Sequence, residues 1–198
     1  MLPLALAHRL ILVRHGETDW NREGRLQGGQ DIPLNDLGRL QAAEAADRLR
    51  KLVPGFAALD YVASPMHRAC ETMDILRAGL SLAPGAYRKD DRLKELTFGA
   101  WEGFTWRDIR KAEREQAQLR ERDKWSFVPP GGESYAMLAE RIRPALEALP
   151  RETVIVSHGG VARAILALVG AVPPQKASMV EIWQGKILTV TGNRADWV

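Results

Sequence analysis

The chain has 198 residues, 45% of them hydrophobic and 27% charged, with a formal charge of +3. That is one domain's worth of chain, long enough to bury a sizeable core. Its single cysteine, Cys70, excludes internal disulfides and thiolate zinc clusters. The mild positive charge suits an anionic substrate, and no Lys/Arg-rich block or basic–aromatic stripe points to nucleic acid.

Residues 2–7 are apolar and end Ala5-Leu6-Ala7, but six residues with no basic segment ahead make a poor secretory leader. A short extension into the first strand is expected, in a cytoplasmic protein. No run approaches the ~20 apolar residues of a membrane span. Leu10-Ile11-Leu12-Val13 is short and branched and reads as a buried strand. It runs directly into Arg14-His15-Gly16-Glu17, so His15 sits just past a strand's carboxyl end, where open α/β sheets place their ligand crevices. Trp20-Asn21 and the Gly-rich Gln27-Gly28-Gly29-Gln30 follow. Asn35 is the expected N-cap of a helix over 36–53, with Leu37, Leu40, Ala43, Ala46, Leu49 and Val53 as its inner stripe. A second strand over 59–63 ends in Ser64-Pro65-Met66-His67-Arg68. Pro65 suits the first turn of the next helix, which carries Cys70, Met73, Ile75 and Leu76 inward to about residue 78. Arg68 then lies in an opening turn at the same edge as His15. A short β segment is expected near 86–89.

Residues 93–103 read as irregular around Glu95. One helix is expected over 106–122, lying on the sheet edge by a thin stripe of Trp106, Ile109, Ala112 and Leu119, with its many charges as a solvated face. Val128-Pro129-Pro130-Gly131-Gly132 breaks it, and an amphipathic helix follows over about 133–149, bent at Pro144. Thr153-Val154-Ile155-Val156 then leads into Ser157-His158-Gly159-Gly160, a second apolar strand ending in His-Gly, and a helix over 161–169. Segments 179–183 and 186–190 are expected as a hairpin around Gln184-Gly185. The alternation of strands and helices predicts a three-layer α/β/α sandwich around one mostly parallel sheet.

If the two strands ending in histidine are parallel members of that sheet, His15, His158, Arg14 and Arg68 share an edge. Guanidinium forks match phosphate oxygens bidentately and stay charged at any relevant pH, so a phosphate monoester dianion is the expected tenant. The same positive charge keeps the His15 imidazole neutral and nucleophilic. A histidine pair could instead hold a metal with His67 or Asp19, but Arg14 and Arg68 would crowd a cation there; no metal site is assigned.

Five segments carry a resemblance: LVRHGETDWN at Leu12–Asn21, SPMHRACET at Ser64–Thr72, LKELTFGAWEG at Leu93–Gly103, PPGGES at Pro129–Ser134 and VSHGGVAR at Val156–Arg163. Taken in order, they resemble the histidine phosphatase superfamily, in the branch shared by cofactor-dependent phosphoglycerate mutases and small broad-specificity phosphatases. The resemblance implies a phosphoglycerate mutase-like fold, a single domain over 1–198 and a lid-like segment at about 97–132. It also implies that His15 is the nucleophile that becomes phosphohistidine, while Arg14, Arg68 and His158 hold the phosphoryl oxygens. Glu95 matches the general acid and base. Asn21, Gln27 and Gly28 match positions that contact or cover the phosphate, and the Gly159 N–H adds a donor. No metal or other cofactor is implied. The implied partner is a small-molecule phosphomonoester, with no nucleic acid and no membrane, and with a homodimer as a compatible assembly.

Hydrolase and mutase differ in the fate of the phosphoenzyme, because a mutase must grip a carboxylate-bearing acceptor with further cations. Leu96, Thr97 and Phe98 stand where the mutases have Arg-His-Tyr, and Trp106 stands where they have a lysine. These departures favour phosphomonoester hydrolysis, with the mutase as the alternative. A non-catalytic phosphate-binding protein is disfavoured, since binding needs neither a nucleophile nor an acid. Trp20, Trp101, Trp106 and Trp125 are available to line the entrance; if two do, a bulky or aromatic leaving group is expected.

Overall fold

The computed structural model describes residues 3–198; residues 1 and 2, including the start of the apolar extension, lie outside the described residues. Its strands are β1 (Leu10–Arg14), β2 (Asp60–Ala63), β3 (Arg88–Lys89), β4 (Thr153–Ser157), β5 (Ile187–Thr191) and β6 (Arg194–Trp197). They form one sheet in the order β3-β2-β4-β1-β5-β6. The first four are mutually parallel, and β5 and β6 add an antiparallel edge. β1 and β4 pair with Arg14 opposite Ser157, so the two strands end level and their histidines leave the sheet side by side.

The helices are α1 (Asp19–Arg22), α2 (Asp36–Leu52), α3 (His67–Gly79), α4 (Trp106–Ala112), α5 (Arg114–Arg122), α6 (Tyr135–Glu147), α7 (Gly159–Leu168) and α8 (Pro174–Ala177). Side chains of a strand alternate between faces, so β1 serves two cores. Ile11 and Val13 pack with Ala45, Ala46 and Leu49 of α2 and Met73 and Leu76 of α3. Leu10 and Leu12 pack with Leu138 and Ile142 of α6 and Val161 and Ile165 of α7. Both faces are covered, which gives the expected three layers and explains why the central strands lack polar alternation.

Several local expectations are corrected. In α2, Leu37 and Leu40 are 48% and 63% exposed and Ala43 is exposed; the buried stripe is Gly38, Ala42, Ala45, Ala46 and Leu49. The backbone of Gly38 lies directly on that of Gly16 and Glu17, where a Cβ on Gly16 or Gly38 would overlap the other segment. This contact sets the rotation of the helix, and Asn35 caps it by accepting from the Gly38 N–H at 2.9 Å. Pro65 precedes α3 rather than entering its first turn, and Cys70 and Ile75 are only half-buried, with Arg68, Ala69, Thr72, Met73, Leu76 and Arg77 facing in. The single helix expected over 106–122 is two, broken at Glu113. Its stripe is Ile109 and Ala117; Ala112 and Leu119 are exposed.

The terminal hairpin is displaced toward the carboxyl end. Residues 179–183 form no strand; β5 and β6 pair Thr191 with Arg194 across Gly192-Asn193, a two-residue loop of the composition tight hairpins prefer. Among the described residues no helix is long and apolar enough to cross a membrane.

Candidate active site

His15 leaves β1 with its N–H bonded to the Ser157 carbonyl at 2.8 Å, an extension of the β1–β4 ladder by one residue. Its side chain is 3% exposed. Nδ1 lies 2.7 Å from the Gly16 carbonyl oxygen, which can only accept, so Nδ1 carries the hydrogen and Nε2 keeps its lone pair. Burial first, then Arg68 and Arg14, hold the His15 pKa well below the usual imidazole value. The ring is therefore neutral at neutral pH, oriented, and nucleophilic at one defined atom. A hydroxyl ties this turn to α3: Thr72 accepts from the Gly16 N–H at 3.0 Å and donates to the Arg68 carbonyl at 2.7 Å.

His158, fully buried at the end of β4, stands with its ring centroid 5.2 Å from that of His15. Its Nε2 meets the Ser64 hydroxyl at 2.7 Å, and its Nδ1 is buried without a hydrogen-bond partner. Arg68, 1% exposed, donates to the Gln30 carbonyl at 2.6 Å and the Gly28 carbonyl at 3.1 Å, and its Nε has no partner. Arg14 donates to the Ile182 carbonyl at 2.8 Å, and its Nε is likewise unsatisfied. Burial and the neighbouring Arg163 push the Arg14 pKa down to about 10, which leaves it charged at neutral pH. Buried polar atoms in native proteins are nearly always paired. Three unpaired donors or potential donors on Arg14, Arg68 and His158, around a neutral His15, make a cradle for a tetrahedral oxyanion.

Arg14, His15, Asn21, Gln27, Gly28, Arg68, Glu95 and Gly159 all line one pocket, with His158 lying just beneath it. Asn21 takes part in a capping box with Thr18, and its Oδ1 also accepts from Gln184 at 3.0 Å, which fixes the side chain at the pocket wall. Gly159 lines the pocket and begins α7, and the start of a helix favours an anion. Glu95 comes from the irregular stretch after the short 3-10 turn 91–93. Its Oε2 accepts from the Gly160 N–H at 3.0 Å and its Oε1 from the Leu96 N–H at 3.0 Å. A side chain at residue 160 would overlap this carboxylate, which accounts for the second glycine of Ser-His-Gly-Gly.

Glu102 has no assigned role in the motifs but holds the site's loops together. Its Oε1 accepts from the Gly29 N–H at 2.8 Å, the Thr97 hydroxyl at 2.7 Å and the Phe98 N–H at 3.1 Å; Oε2 accepts from the Gln30 amide at 3.0 Å. One carboxylate thus clamps the Gln27–Gln30 loop, whose carbonyls hold Arg68, to the segment that bears Glu95.

The outer wall departs most from expectation. Arg120, read as part of a solvated face, lines the pocket together with Lys124, Arg25, Tyr135 and Arg163. Arg120 stacks on Trp106, with its Cζ 3.6 Å from the ring centroid. Arg163 is anchored by donating to the Val180 carbonyl at 2.8 Å. Of the four tryptophans considered, only Trp106 lines the pocket, beside Phe98. Trp101 stacks on Phe127 and Trp125 on Tyr135 as packing residues, and Trp20 lies against Gly103. Helical periodicity over 106–122 could not find Arg120, because the helix is broken at Glu113, and Lys124 lies beyond the end of α5.

A model of the histidine phosphatase superfamily, branch 1, matches residues 10–198. Over 182 residues the chain is 37% identical to the glucosyl-3-phosphoglycerate phosphatase of Mycobacterium tuberculosis, covering 84% of this chain and 77% of that protein. It is 36% identical over 162 residues to a metal-independent phosphoserine phosphatase of Arabidopsis thaliana, covering 79% of this chain and 66% of that one. A solved mycobacterial glucosyl-3-phosphoglycerate phosphatase in complex with VO3 superposes with a TM-score of 0.79 at 31% identity, covering 97% of both chains.

Proposed function

The chain belongs to the histidine phosphatase superfamily, branch 1, as a phosphoric monoester hydrolase, and from that premise we propose a metal-independent mechanism through phosphohistidine at His15. Nε2 of His15 attacks the phosphorus in line, the P–N bond forms, and the ester P–O bond breaks. Glu95 gives its proton to the departing oxygen. In the second step Glu95, now a carboxylate, takes a proton from water as the water oxygen attacks phosphorus, the P–N bond breaks, and inorganic phosphate leaves. Arg14, Arg68, His158 and the Gly159 N–H hold the non-bridging oxygens throughout and meet the charge spread over them in the transition state. Asn21, Gln27 and Gly28 close the cradle, and the 97–132 segment walls it as a lid-like cover. Arginines supply the positive charge a metal would otherwise bring, and a cytoplasmic location is part of the proposal.

The observation that carries this reading is the neutral His15, with Nδ1 pinned to the Gly16 carbonyl and Nε2 free beside the unpaired Arg14 Nε, Arg68 Nε and His158 Nδ1. Incubation with p-nitrophenyl phosphate, with and without EDTA, tests it. Turnover unaffected by EDTA and an acid-labile phosphoenzyme lost in His15→Ala are expected; labelling that persists in that variant, or strong EDTA sensitivity, overturns the mechanism.

The mutase alternative has one observation in its favour. Arg120 and Lys124 line the same pocket as the cradle, and a mutase needs such cations to grip its acceptor. Lack of cations therefore does not separate the two activities, and hydrolysis rests on the phosphatase relatives. Measuring phosphoryl transfer between the 2 and 3 positions of glycerate beside phosphate release decides between them.

A further inference from the structure

Three neighbouring strands end in polar side chains, and the phosphoryl-transfer mechanism uses only two of them. Across the sheet in the order β2-β4-β1, the residues that follow the strands are Ser64, His158 and His15. β2 pairs Ala63 with Val156, and the Ser64 N–H extends that ladder to the Val156 carbonyl at 2.9 Å. Pro65 steers Ser64 toward extended backbone, and the Ser64 carbonyl accepts from the Cys70 thiol at 3.4 Å. Ser64 is wholly buried, so the fold sets the place of its hydroxyl.

That hydroxyl lies 2.7 Å from Nε2 of His158, and Nδ1 is the ring nitrogen left without a partner. Either member of the pair could supply the hydrogen, and counting donors decides which one does. The Ser64 oxygen already accepts from the Met66 N–H at 3.4 Å. Among the described residues, the Ser64 hydroxyl has no acceptor for its hydrogen other than Nε2. If Nε2 carried the hydrogen, the Ser64 O–H would be buried without an acceptor, which costs free energy. Nδ1 would then be a bare lone pair in an anion cradle, where it repels a phosphoryl oxygen. Burial first, and then Arg68, disfavour the doubly protonated ring.

We infer that Ser64 is a positioning residue: by donating to Nε2 it fixes His158 as the Nδ1–H tautomer, so that a neutral imidazole gives the phosphoryl group its hydrogen bond. The inference rests on the reading of the pocket as a phosphoryl cradle, and it adds how the second histidine is kept in its donor form. The hydrogen bond at one ring nitrogen sets the state of the other. In both histidines a fixed partner places the hydrogen on Nδ1: the Gly16 carbonyl at His15 and the Ser64 hydroxyl at His158. At His15 the bare Nε2 is left to attack, and at His158 the Nδ1–H is left to donate. One tautomer thus serves two opposite duties.

Nitrogen-15 NMR of the ligand-free enzyme, labelled at histidine, tests this directly. The chain has four histidines; His8 and His67 are exposed, and His15→Ala separates the His15 signals from those of His158. At neutral pH wild-type His158 should show a protonated Nδ1 and an unprotonated Nε2. Ser64→Ala should move the hydrogen toward Nε2, lower kcat/KM roughly tenfold or more, and weaken binding of inorganic vanadate by a similar factor. Ser64→Thr keeps a hydroxyl and should restore the Nδ1–H tautomer with part of the affinity. An Nε2–H or doubly protonated His158 in the wild-type spectrum overturns the inference without any variant. So does a Ser64→Ala enzyme that loses thermal stability yet keeps the tautomer and the vanadate affinity. The His15 mechanism stands or falls separately, on phosphoenzyme labelling in His15→Ala, and the His158 spectrum does not depend on it.

Discussion

The cradle and the outer wall of the same pocket are built on different terms. The cradle stands at level strand ends, and its groups are fixed by hydrogen bonds: His15 to Gly16, Arg68 to Gly28 and Gln30, Arg14 to Ile182, and His158 to the Ser64 hydroxyl. Much of the wall stands on α4, α5 and the segment leading to Pro129, where Arg120 and Lys124 line the pocket from a mostly exposed pair of helices and the turn after them. A reacting phosphoryl group tolerates little misplacement, so the cradle's positions are over-determined by the fold. A leaving group needs only charge and shape complementarity, and a solvated helix pair supplies both at little cost to stability. Chemistry and specificity are thus assigned to two regions of unequal rigidity.

Disrupting the cradle should have the largest effect. Arg68→Ala removes a transition-state cation together with the bonds that hold the Gly28 and Gln30 carbonyls, and kcat/KM for any phosphomonoester should fall roughly 10²–10³-fold in steady-state assays. Arg68→Lys should recover little of it, because an ammonium cannot reproduce the two-pronged contact. An effect on one class of ester only would mean that Arg68 belongs with the wall. Glu95→Gln should come next, slowing esters with poor leaving groups about a hundredfold and p-nitrophenyl phosphate far less. Equal slowing of both would remove Glu95 from proton transfer to the leaving oxygen.

The clamp between the two regions should give a smaller, mixed effect. Glu102→Ala frees Gly29, Gln30, Thr97 and Phe98 from their shared acceptor. A loss of roughly tenfold in kcat/KM is expected, carried mainly by KM as Arg68 loses its fixed carbonyls, with Glu102→Gln in between. A change in thermal unfolding alone, with kinetics intact, would reduce Glu102 to a structural residue.

The smallest effect is on the wall and depends on pH. Burial first, then Arg120 and Arg163, push the Lys124 pKa down to about 8; the other ionisable groups around it are Tyr135, raised chiefly by burial, and Glu95, which lines the same pocket. Below pH 8 Lys124 is charged and above it neutral. KM for 3-phosphoglycerate, whose leaving group carries a carboxylate, should therefore rise severalfold as pH passes upward through about 8, while glycerol 3-phosphate shows no step. A step of equal size for both esters would assign it to the cradle. The cradle histidines titrate in a different window, because burial holds His15 and His158 well below the usual imidazole value.

The order in which the site could be read follows the same division. Arg14, His15 and His158 were visible because each follows an apolar strand, and a strand end is a fixed address in a parallel sheet. Arg68 was visible from its place just after Ser64-Pro65, and Glu95 only from resemblance, since an irregular segment has no period to read. Arg120 was hidden in a run of charges whose default is solvent, and Lys124 lay beyond that run with no motif to mark it. Glu102 was hidden because a carboxylate clamp is defined by what converges on it from distant loops.

By itself the sequence determined the layered α/β architecture, the parallel centre of the sheet and the strand-end histidines, because short apolar runs and strand–turn–glycine junctions are local signals that burial enforces. Only the tertiary structure decided the rotation of α2, through the contact of Gly38 with Gly16 and Glu17. It also decided the β5–β6 pairing across Gly192-Asn193, the break at Glu113, and which charges of α5 face the pocket. The rotation of α2 turns on a contact between separate segments of the chain, where the close approach of two backbones outweighs the local pattern.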